Sequence, residues 1–385
     1  MDLPSGQSGG GAFPYDDSVL PGQYRGINLQ SHPLYNQGKI RHDGSVLMGS
    51  GVLQVVVAGV PRSCQDARSD GSWLTARHIE QIRSVTPNIE LTRNDLASGV
   101  TAHPDVLLIE ASGREPYLDE IPFEGFQSLA SDRLRWVQAC SSGVGHILEL
   151  GLLSPDVLLT NAAGVHANAL GESVMAAVLF HAKRLRERLE NQEQRRWAEL
   201  YCSELRGKTM LVVGAGNIGR ACARLAAAFG MQVVGVRRTP ELLPHFNTMV
   251  SPEALLDVLP DADYVVIACP LTPETEGMIG VDELAAVKPG AYLINVSRGK
   301  VVQEPALLDA LATGRLSGAY LDAHAQEPLP ADHPFWTAPG VTVIPHDSHS
   351  SPLIGDNIIN LFTDNLDRFI AGKPLRNVVD PSLGY

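Results

Sequence analysis

Gly214-Ala215-Gly216-Asn217-Ile218-Gly219 is the stretch whose surroundings decide the fold. An apolar run, Met210 to Val213, leads in and reads as a buried strand, and an apolar-periodic run, Ile218 to Phe229, leads out and reads as a helix. Glycines at these three spacings permit a tight turn, close backbone approach to a pyrophosphate, and close packing of helix on strand. The helix N-terminus adds unpaired N–H groups and a partial positive charge for the phosphates. Gly214, Gly216, Asn217, Ile218 and Gly219 are therefore expected to form a dinucleotide-binding turn. A second short strand, Gln232 to Val236, ends in Arg237-Arg238, where an acid would hold the ribose 2′-hydroxyl of NAD. Arginine instead offers charge-assisted bonds to a 2′-phosphate. The reading thus favours NADP(H), with NAD(H) as the alternative.

Composition bounds the rest. A chain of 385 residues is comfortable for two domains, and a hydrophobic content of 44% is ordinary for a globular protein. A formal charge of −13 argues against a nucleic-acid or membrane-surface binder, which needs clustered positive charge. No apolar run approaches the roughly 20 residues that span a bilayer, and the N-terminus lacks a basic region followed by an apolar one. Cys64, Cys140, Cys202, Cys222 and Cys269 are scattered and form no CxxC, which fits reduced thiols in a cytoplasmic protein better than disulfides or a metal site.

Residues 1–48 are rich in glycine and proline and show no period, so they read as a tail. From Val52 the pattern becomes regular. Val52–Val60, Ile89–Thr92, Asp105–Ile109, Leu134–Gln138 and Val157–Thr160 read as strands, and Leu74–Val85 as an amphipathic helix. Gly171 to about Arg196 reads as one long helix, apolar in its first half and charged in its second, so the second half should project as an arm. Ser251-Pro252-Glu253 has the form of a helix start with a capping serine. Tyr264–Ala268, Tyr292–Asn295, Gly318–Leu321 and Val341–Ile344 read as strands, Glu304–Ala312 as a helix, and Leu353 to Phe369 as a final amphipathic helix. Alternating strands and helices imply parallel sheets covered on both faces. The expected fold is α/β: two doubly wound parallel-sheet domains, Rossmann-like and flavodoxin-like, with a cleft between them. Residues 49–160 plus 347–385 would form the substrate domain and 161–346 the dinucleotide-binding domain.

Three strand ends carry chemistry. Arg298 follows the strand ending at Asn295, Glu327 lies in the segment leaving Leu321, and His346 leaves the last strand. Open α/β sheets bind ligands at the carboxyl ends of their strands, so the three should meet on one rim. Arginine can hold a carboxylate bidentately and polarise a carbonyl. A histidine beside a carboxylate has its protonated form favoured, which suits a general acid. Together they read as equipment for reducing an α-keto acid.

Residues 205–220 (LRGKTMLVVGAGNIGR), 268–280 (ACPLTPETEGMIG), 287–299 (VKPGAYLINVSRG), 321–336 (LDAHAQEPLPADHPFW) and 343–346 (VIPH) resemble the D-isomer-specific 2-hydroxyacid dehydrogenase family, in its glyoxylate/hydroxypyruvate reductase-like branch. The resemblance is strong from about Leu134 to Asp380, holds only by pattern over residues 50–130, and does not include the first 48. It implies that Arg298 binds the substrate carboxylate and carbonyl, that His346 is the proton donor and Glu327 its partner. It places Asp322 near the nicotinamide carboxamide, Pro270 at the cofactor, and the Ser141-Ser142-Gly143-Val144 loop on the substrate carboxylate through Ser142 and Gly143. It also implies a homodimer joined through the helix at 171–196.

This chain departs from the family pattern at Asp347-Ser348-His349-Ser350, where small residues and glycine are usual, and at Gly145, where an aspartate is common. Both departures bear on the substrate and leave the reaction type intact. Glutamate, not glutamine, at 327 disfavours the formate-oxidising branch. His324, His333 and His349 read as surface or supporting residues, Asp347 as a loop carboxylate, Trp336 as core or interface, and Cys269 as a small buried residue near the cofactor. The expected activity is NAD(P)H-dependent reduction of a 2-keto acid to a D-2-hydroxy acid. One alternative is an oxidative biosynthetic dehydrogenase of a phosphorylated hydroxy acid, which would require extra basic groups in the substrate domain, with Arg62, Arg68 and Arg114 as the candidates. The other, of a different class, is an NAD(H)-sensing corepressor-like scaffold.

Overall fold

In the strand before the glycine turn, Met210 and Val212 face one apolar core while Leu211 and Val213 face another. Successive side chains of a strand point to opposite faces, so such a strand needs a layer on each side, as in parallel sheets. The computed structural model describes residues 52–59, 74–95, 103–110, 133–149, 151 and 153–380. The tail 1–48, Cys64, Arg62, Arg68 and Arg114 lie outside the described residues.

In chain order the first elements are β1 (Leu53–Gly59), α1 (Ala76–Ser84), β2 (Ile89–Asp95), β3 (Val106–Glu110), β4 (Trp136–Ala139), α2 (Gly145–Glu149) and β5 (Leu158–Thr160). Next come α3 (Ala167–Ala182), α4 (Leu185–Glu193), β6 (Thr209–Val213), α5 (Asn217–Ala228), β7 (Gln232–Val236), β8 (Thr248–Val250) and α6 (Leu255–Val258). Then follow β9 (Tyr264–Ile267), α7 (Val281–Ala286), β10 (Ala291–Asn295), α8 (Glu304–Ala312), β11 (Leu316–Leu321), β12 (Val341–Val343) and α9 (Ile354–Ile370). All strand pairs are parallel. They form a five-stranded sheet in the order β2-β1-β3-β4-β5 and a seven-stranded sheet in the order β12-β11-β10-β9-β6-β7-β8. The first is the flavodoxin-like order and the second the Rossmann order extended by one strand. The expected fold of two doubly wound parallel sheets is the observed one. No helix among the described residues is long and apolar enough to cross a membrane.

The last helix returns to the first sheet. Ile358, Phe362, Leu366 and Phe369 of α9 share a core with Val55, Val57, Leu108 and Trp136. Trp136 is fully buried, stacks on Phe362 with centroids 5.3 Å apart, and donates from Nε1 to Thr160 Oγ1 at 2.8 Å. Its polar edge is thus satisfied inside an apolar layer. Beyond α9 the chain runs along β5, with the Val379 N–H on the Leu159 carbonyl at 2.8 Å and the Asn161 N–H on that of Asn377 at 3.1 Å.

The helix expected over 171–196 is two helices. Arg184 breaks it with φ +50°, and α3 begins earlier, at Ala167. The cause lies in the returning chain. The Ser203 N–H takes the Ala182 carbonyl at 3.0 Å and the Cys202 thiol that of Lys183 at 3.3 Å, which Arg188 Nε of α4 also reaches at 3.1 Å. Carbonyls that a continuing helix would satisfy are therefore satisfied from outside it. The apolar half does lie in a core, and Gly171 brings α3 close to α5: a Cβ there would stand 3.1 Å from that of Ala221. Ser251 precedes a 3-10 turn, Pro252–Ala254, but makes no side-chain cap to it. Its hydroxyl instead serves Glu253, which lowers that carboxyl below its ordinary value. The short elements β8, α2 and α7 were not legible, because three to six residues show no usable period.

Candidate active site

The glycine turn sits where the strand order reverses, between β6 and β9. Gly214 has φ +103°, and a Cβ there would overlap the backbone of Cys269 at the end of β9. A Cβ on Gly219 would run into the Gly214 carbonyl oxygen. These two glycines are demanded by the protein's own packing. Gly216 differs: a Cβ there would meet nothing within 4 Å. Its backbone faces open space at the first turn of α5, where a pyrophosphate would approach. The residues present therefore fit a dinucleotide.

Neighbouring side chains frame the turn. The Gly214 N–H bonds the Val236 carbonyl at 3.0 Å, which places the turn beside half-buried Arg237 and exposed Arg238. Arg238 also lies close enough to Glu274, in the loop after β9, to lower that exposed carboxyl, behind the hydrogen bond from Thr272. Asn217 turns its side chain toward Gly164, whose Cβ would stand 3.2 Å from Asn217 Nδ2. Ile218 packs against the core on the α3 side. Pro270 is exposed just past β9, and its carbonyl accepts from Thr275 Oγ1 at 2.7 Å. Burial pushes the Cys269 thiol up to about 11, which makes it inert as a nucleophile.

Arg298, Glu327 and His346 follow β10, β11 and β12, three adjacent strands. Asn295, buried at the end of β10, shapes the first exit: its Oδ1 accepts the Ser297 N–H at 3.0 Å, and its Nδ2 donates to the Arg298 carbonyl at 3.1 Å. Gly299 then lies so close to the His324–Ala325 peptide that no Cβ could fit between them. That contact sets the arginine turn against the segment carrying Glu327. Glu327 Oε2 lies 2.8 Å from His346 Nδ1, and Oε1 accepts the His324 N–H at 2.9 Å. Burial works to raise the Glu327 carboxyl, but the His346 and His324 hydrogen bonds and the two imidazole charges outweigh it, so the net displacement is downward. An ionised carboxylate only accepts, so Nδ1 of His346 carries a hydrogen and Nε2 is the nitrogen left for proton exchange. His346 itself adopts φ +54°.

The first sheet meets this rim at the end of β4. Ser141 Oγ donates to the Gly143 carbonyl at 2.7 Å, Ser142 Oγ to that of Ala162 at 3.3 Å, and Asn161 Nδ2 to that of Ser142 at 2.9 Å. With these carbonyls turned inward, the Ser142 and Gly143 N–H groups find no acceptor among the described residues. A Cβ on Gly143 would stand 3.0 Å from Nη2 of Arg298. One rim therefore carries a guanidinium beside two unspent N–H groups, and an imidazole–carboxylate pair, the equipment to hold a carboxylate and protonate the oxygen of its neighbour.

Residues 175–348 match the family described as D-isomer specific 2-hydroxyacid dehydrogenase, NAD binding domain. Glyoxylate/hydroxypyruvate reductase A of Serratia proteamaculans is 33% identical over 262 residues, 66% of this chain and 82% of that protein. The chain belongs to the D-isomer-specific 2-hydroxyacid dehydrogenase family. Glyoxylate/hydroxypyruvate reductase A of Photorhabdus laumondii is 29% identical over 316 residues, 80% of this chain and 96% of that protein. The crystal structure of an NADPH-dependent glyoxylate/hydroxypyruvate reductase from Sinorhizobium meliloti, in complex with NADP and sulfate, shares the fold with a TM-score of 0.69 and 26% identity. That likeness covers 86% of this chain and 100% of that one. The protein is an NAD(P)-dependent oxidoreductase.

Against this family background, the structure gives four residues roles that sequence reading did not. Gly299 and Asn295 were part of a quoted motif, yet their use, a close contact and a turn, needs the third dimension. Asp322 was expected near the nicotinamide; it is buried, and its Oδ1 accepts the Ser348 N–H at 3.0 Å, tying the loop beyond His346 to β11. His166 was not singled out at all. Its ring meets that of His349 edge-on at 5.3 Å, and burial, then the His349 charge, push its imidazole down to about 4 despite a bond to the Cys140 backbone. Trp336, read as core or interface, is half exposed, with Nε1 on the Pro330 carbonyl at 2.8 Å. Asp347 is exposed, as a loop carboxylate should be.

Proposed function

We propose that this chain reduces a 2-keto acid to a D-2-hydroxy acid with NADPH as the preferred reductant. The observation that carries the proposal is the approach of Arg298 to the Gly143 turn on the rim that also bears the Glu327–His346 pair. The names of the relatives support it, as does the NADP complex of the Sinorhizobium meliloti enzyme.

When bound, the nicotinamide supplies the hydride. Gly214, Gly216 and Gly219 with the first turn of α5, joined by Asn217, Ile218 and Pro270, would hold the pyrophosphate end, and Arg237 and Arg238 the 2′-phosphate. Asp322 would border the nicotinamide pocket. The Ser142 and Gly143 N–H groups and the Arg298 guanidinium hold the substrate carboxylate, and Arg298 also faces the carbonyl oxygen. As negative charge develops there, a fixed cation stabilises it more than mobile water can. His346 donates its Nε2 proton to that oxygen, and Glu327 holds the ring in place and stabilises the imidazolium. Residues 49–160 plus 347–385 act as the substrate domain, and 161–346 as the cofactor domain.

The proposed assembly is a homodimer joined through α3, α4 and the segment after them, where Trp197 is 98% and Tyr201 96% exposed. A solution mass of one chain contradicts that assembly. The activity is tested by NADPH and NADH oxidation against glyoxylate, hydroxypyruvate, phenylpyruvate and branched keto acids. Absence of turnover with every member of the panel contradicts the proposal.

A further inference from the structure

His346 stands in the left-handed region at φ +54°, a conformation that L residues adopt only when their surroundings hold it. It is held from both sides. Two residues beyond it, the Ser348 N–H is taken by Asp322 at 3.0 Å. Two residues before it, the Ile344 carbonyl lies 2.9 Å from Nε2 of His324. A carbonyl can only accept, so Nε2 carries the hydrogen. The main chain of the same residue holds the other member of the pair, since the His324 N–H donates to Glu327 Oε1 at 2.9 Å.

His324 is 7% exposed and packs near Phe335, with ring centroids 6.4 Å apart. Its Nδ1 is buried and has no hydrogen-bond partner among the described residues. A buried polar atom left unmet is a cost that an apolar ring would avoid. A histidine kept in an apolar niche with one nitrogen unmet is therefore better explained by what the other nitrogen does. Charged and titratable groups near it are Glu327 and His346 on one side and, on the other, Glu304, which accepts the Ala325 N–H at 3.2 Å, with His333 3.5 Å from Glu304 and 4.6 Å from Phe335 between ring centroids.

We propose that His324 is a positioning residue for proton transfer: through Nε2 it fixes the backbone that presents His346, and through its own N–H it fixes Glu327. It touches neither substrate nor cofactor and acts by keeping the two members of the pair at hydrogen-bonding distance. This inference rests on the reading of His346 as the proton donor.

The test compares wild type with His324→Phe, which keeps a ring beside Phe335 but has no donor, and His324→Gln, whose amide N–H can reach the same carbonyl. His324→Leu is a second donor-free variant should the larger ring distort the niche, and His346→Ala is the reference for the underlying reading. His324→Phe should lower kcat about tenfold with KM for NADPH unchanged. Its loss of kcat/KM with rising pH should set in about one unit lower, because a loosened carboxylate stabilises the imidazolium less. His324→Gln should recover most of both. Independently of turnover, the downfield proton of the His346–Glu327 hydrogen bond, seen by NMR in 15N-histidine-labelled protein, should broaden or move upfield in the donor-free variants and persist in His324→Gln.

Wild-type kcat, pH profile and His346 resonance in His324→Phe or His324→Leu overturn the proposal. So does a His324→Gln variant as impaired as the donor-free ones, which would assign the effect to ring packing. Wild-type turnover in His346→Ala overturns the underlying reading instead, and the resonance then reports on the hydrogen bond alone.

Discussion

Nη2 of Arg298 lies 3.0 Å from the place a Cβ on Gly143 would occupy, so the exit of β10 in one sheet and the exit of β4 in the other meet at a single point. A methyl group at 143 would press on the free end of a long side chain, which can move without disturbing the fold. Gly143→Ala should therefore leave the melting temperature unchanged and displace the guanidinium from the keto acid. KM for the keto acid should rise about tenfold, the order expected for one weakened charge-assisted contact, while KM for NADPH stays put. Steady-state kinetics with each substrate varied in turn reads both; equal rises in the two constants would contradict this placement of Arg298.

Arg237 and Arg238 follow β7, beside the Gly214 turn. Replacing both with alanine removes two cations from the expected position of the 2′-phosphate and leaves the pyrophosphate turn intact. KM for NADPH should rise about tenfold or more, and KM for NADH should change little. A matched pair of NADPH and NADH titrations checks this, and equal effects on the two cofactors would sink the assignment.

Two glycines of one turn should fail in different ways. Gly214→Ala forces a Cβ into the Cys269 backbone at φ +103°, which should cost about 2 kcal/mol or more and lower the melting temperature. Gly216→Ala meets nothing within 4 Å, so its melting temperature should match wild type. Its Kd for NADPH should rise sharply, because the methyl group occupies the pyrophosphate's approach. Thermal denaturation and a fluorescence titration on both variants distinguish the two roles.

Asp263 joins three strand starts. It accepts from Lys288 at 2.8 Å, from Lys208 at 3.2 Å and from the Thr209 N–H at 2.9 Å. Burial opposes its ionisation, but these donors outweigh it and hold the carboxyl below its ordinary value of 3.8. A group depressed in the folded state stabilises the fold above its unfolded pKa, and that contribution is lost as pH falls through the folded value. Asp263→Asn should therefore lower stability at pH 7 by about 1 kcal/mol, a modest figure because both lysines are well exposed. The difference from wild type should shrink below about pH 4. Urea melts across the acid range measure it, and a difference constant with pH would contradict the coupling.

The long periodic stretches announced themselves. The strand–turn–helix around Gly214, the helix Glu304–Ala312 and the final helix each carry enough residues for their period to show. What stayed hidden depends on contacts between distant residues. The break at Arg184 follows from a chain that returns about twenty residues later, where the Ser203 N–H and the Cys202 thiol take the carbonyls of Ala182 and Lys183. The need for glycine at 299 follows from a peptide in another strand's exit. His324 was set aside as a supporting histidine because nothing in its own segment reveals that the Ile344 carbonyl lies opposite it. The strand ends bearing Arg298, Glu327 and His346 were legible because alternating strands and helices make the sheet parallel, which puts every strand's carboxyl end on one edge, and residue type then suggests the chemistry.

His346 is the proposed proton donor of a keto-acid reduction. The most direct test is the rate of NADPH oxidation with the best keto acid of the panel, in wild type and in His346→Ala, alongside NADPH binding to both. The expected result is loss of about 10²- to 10⁴-fold in kcat with NADPH affinity retained. Turnover by His346→Ala at the wild-type rate would contradict it.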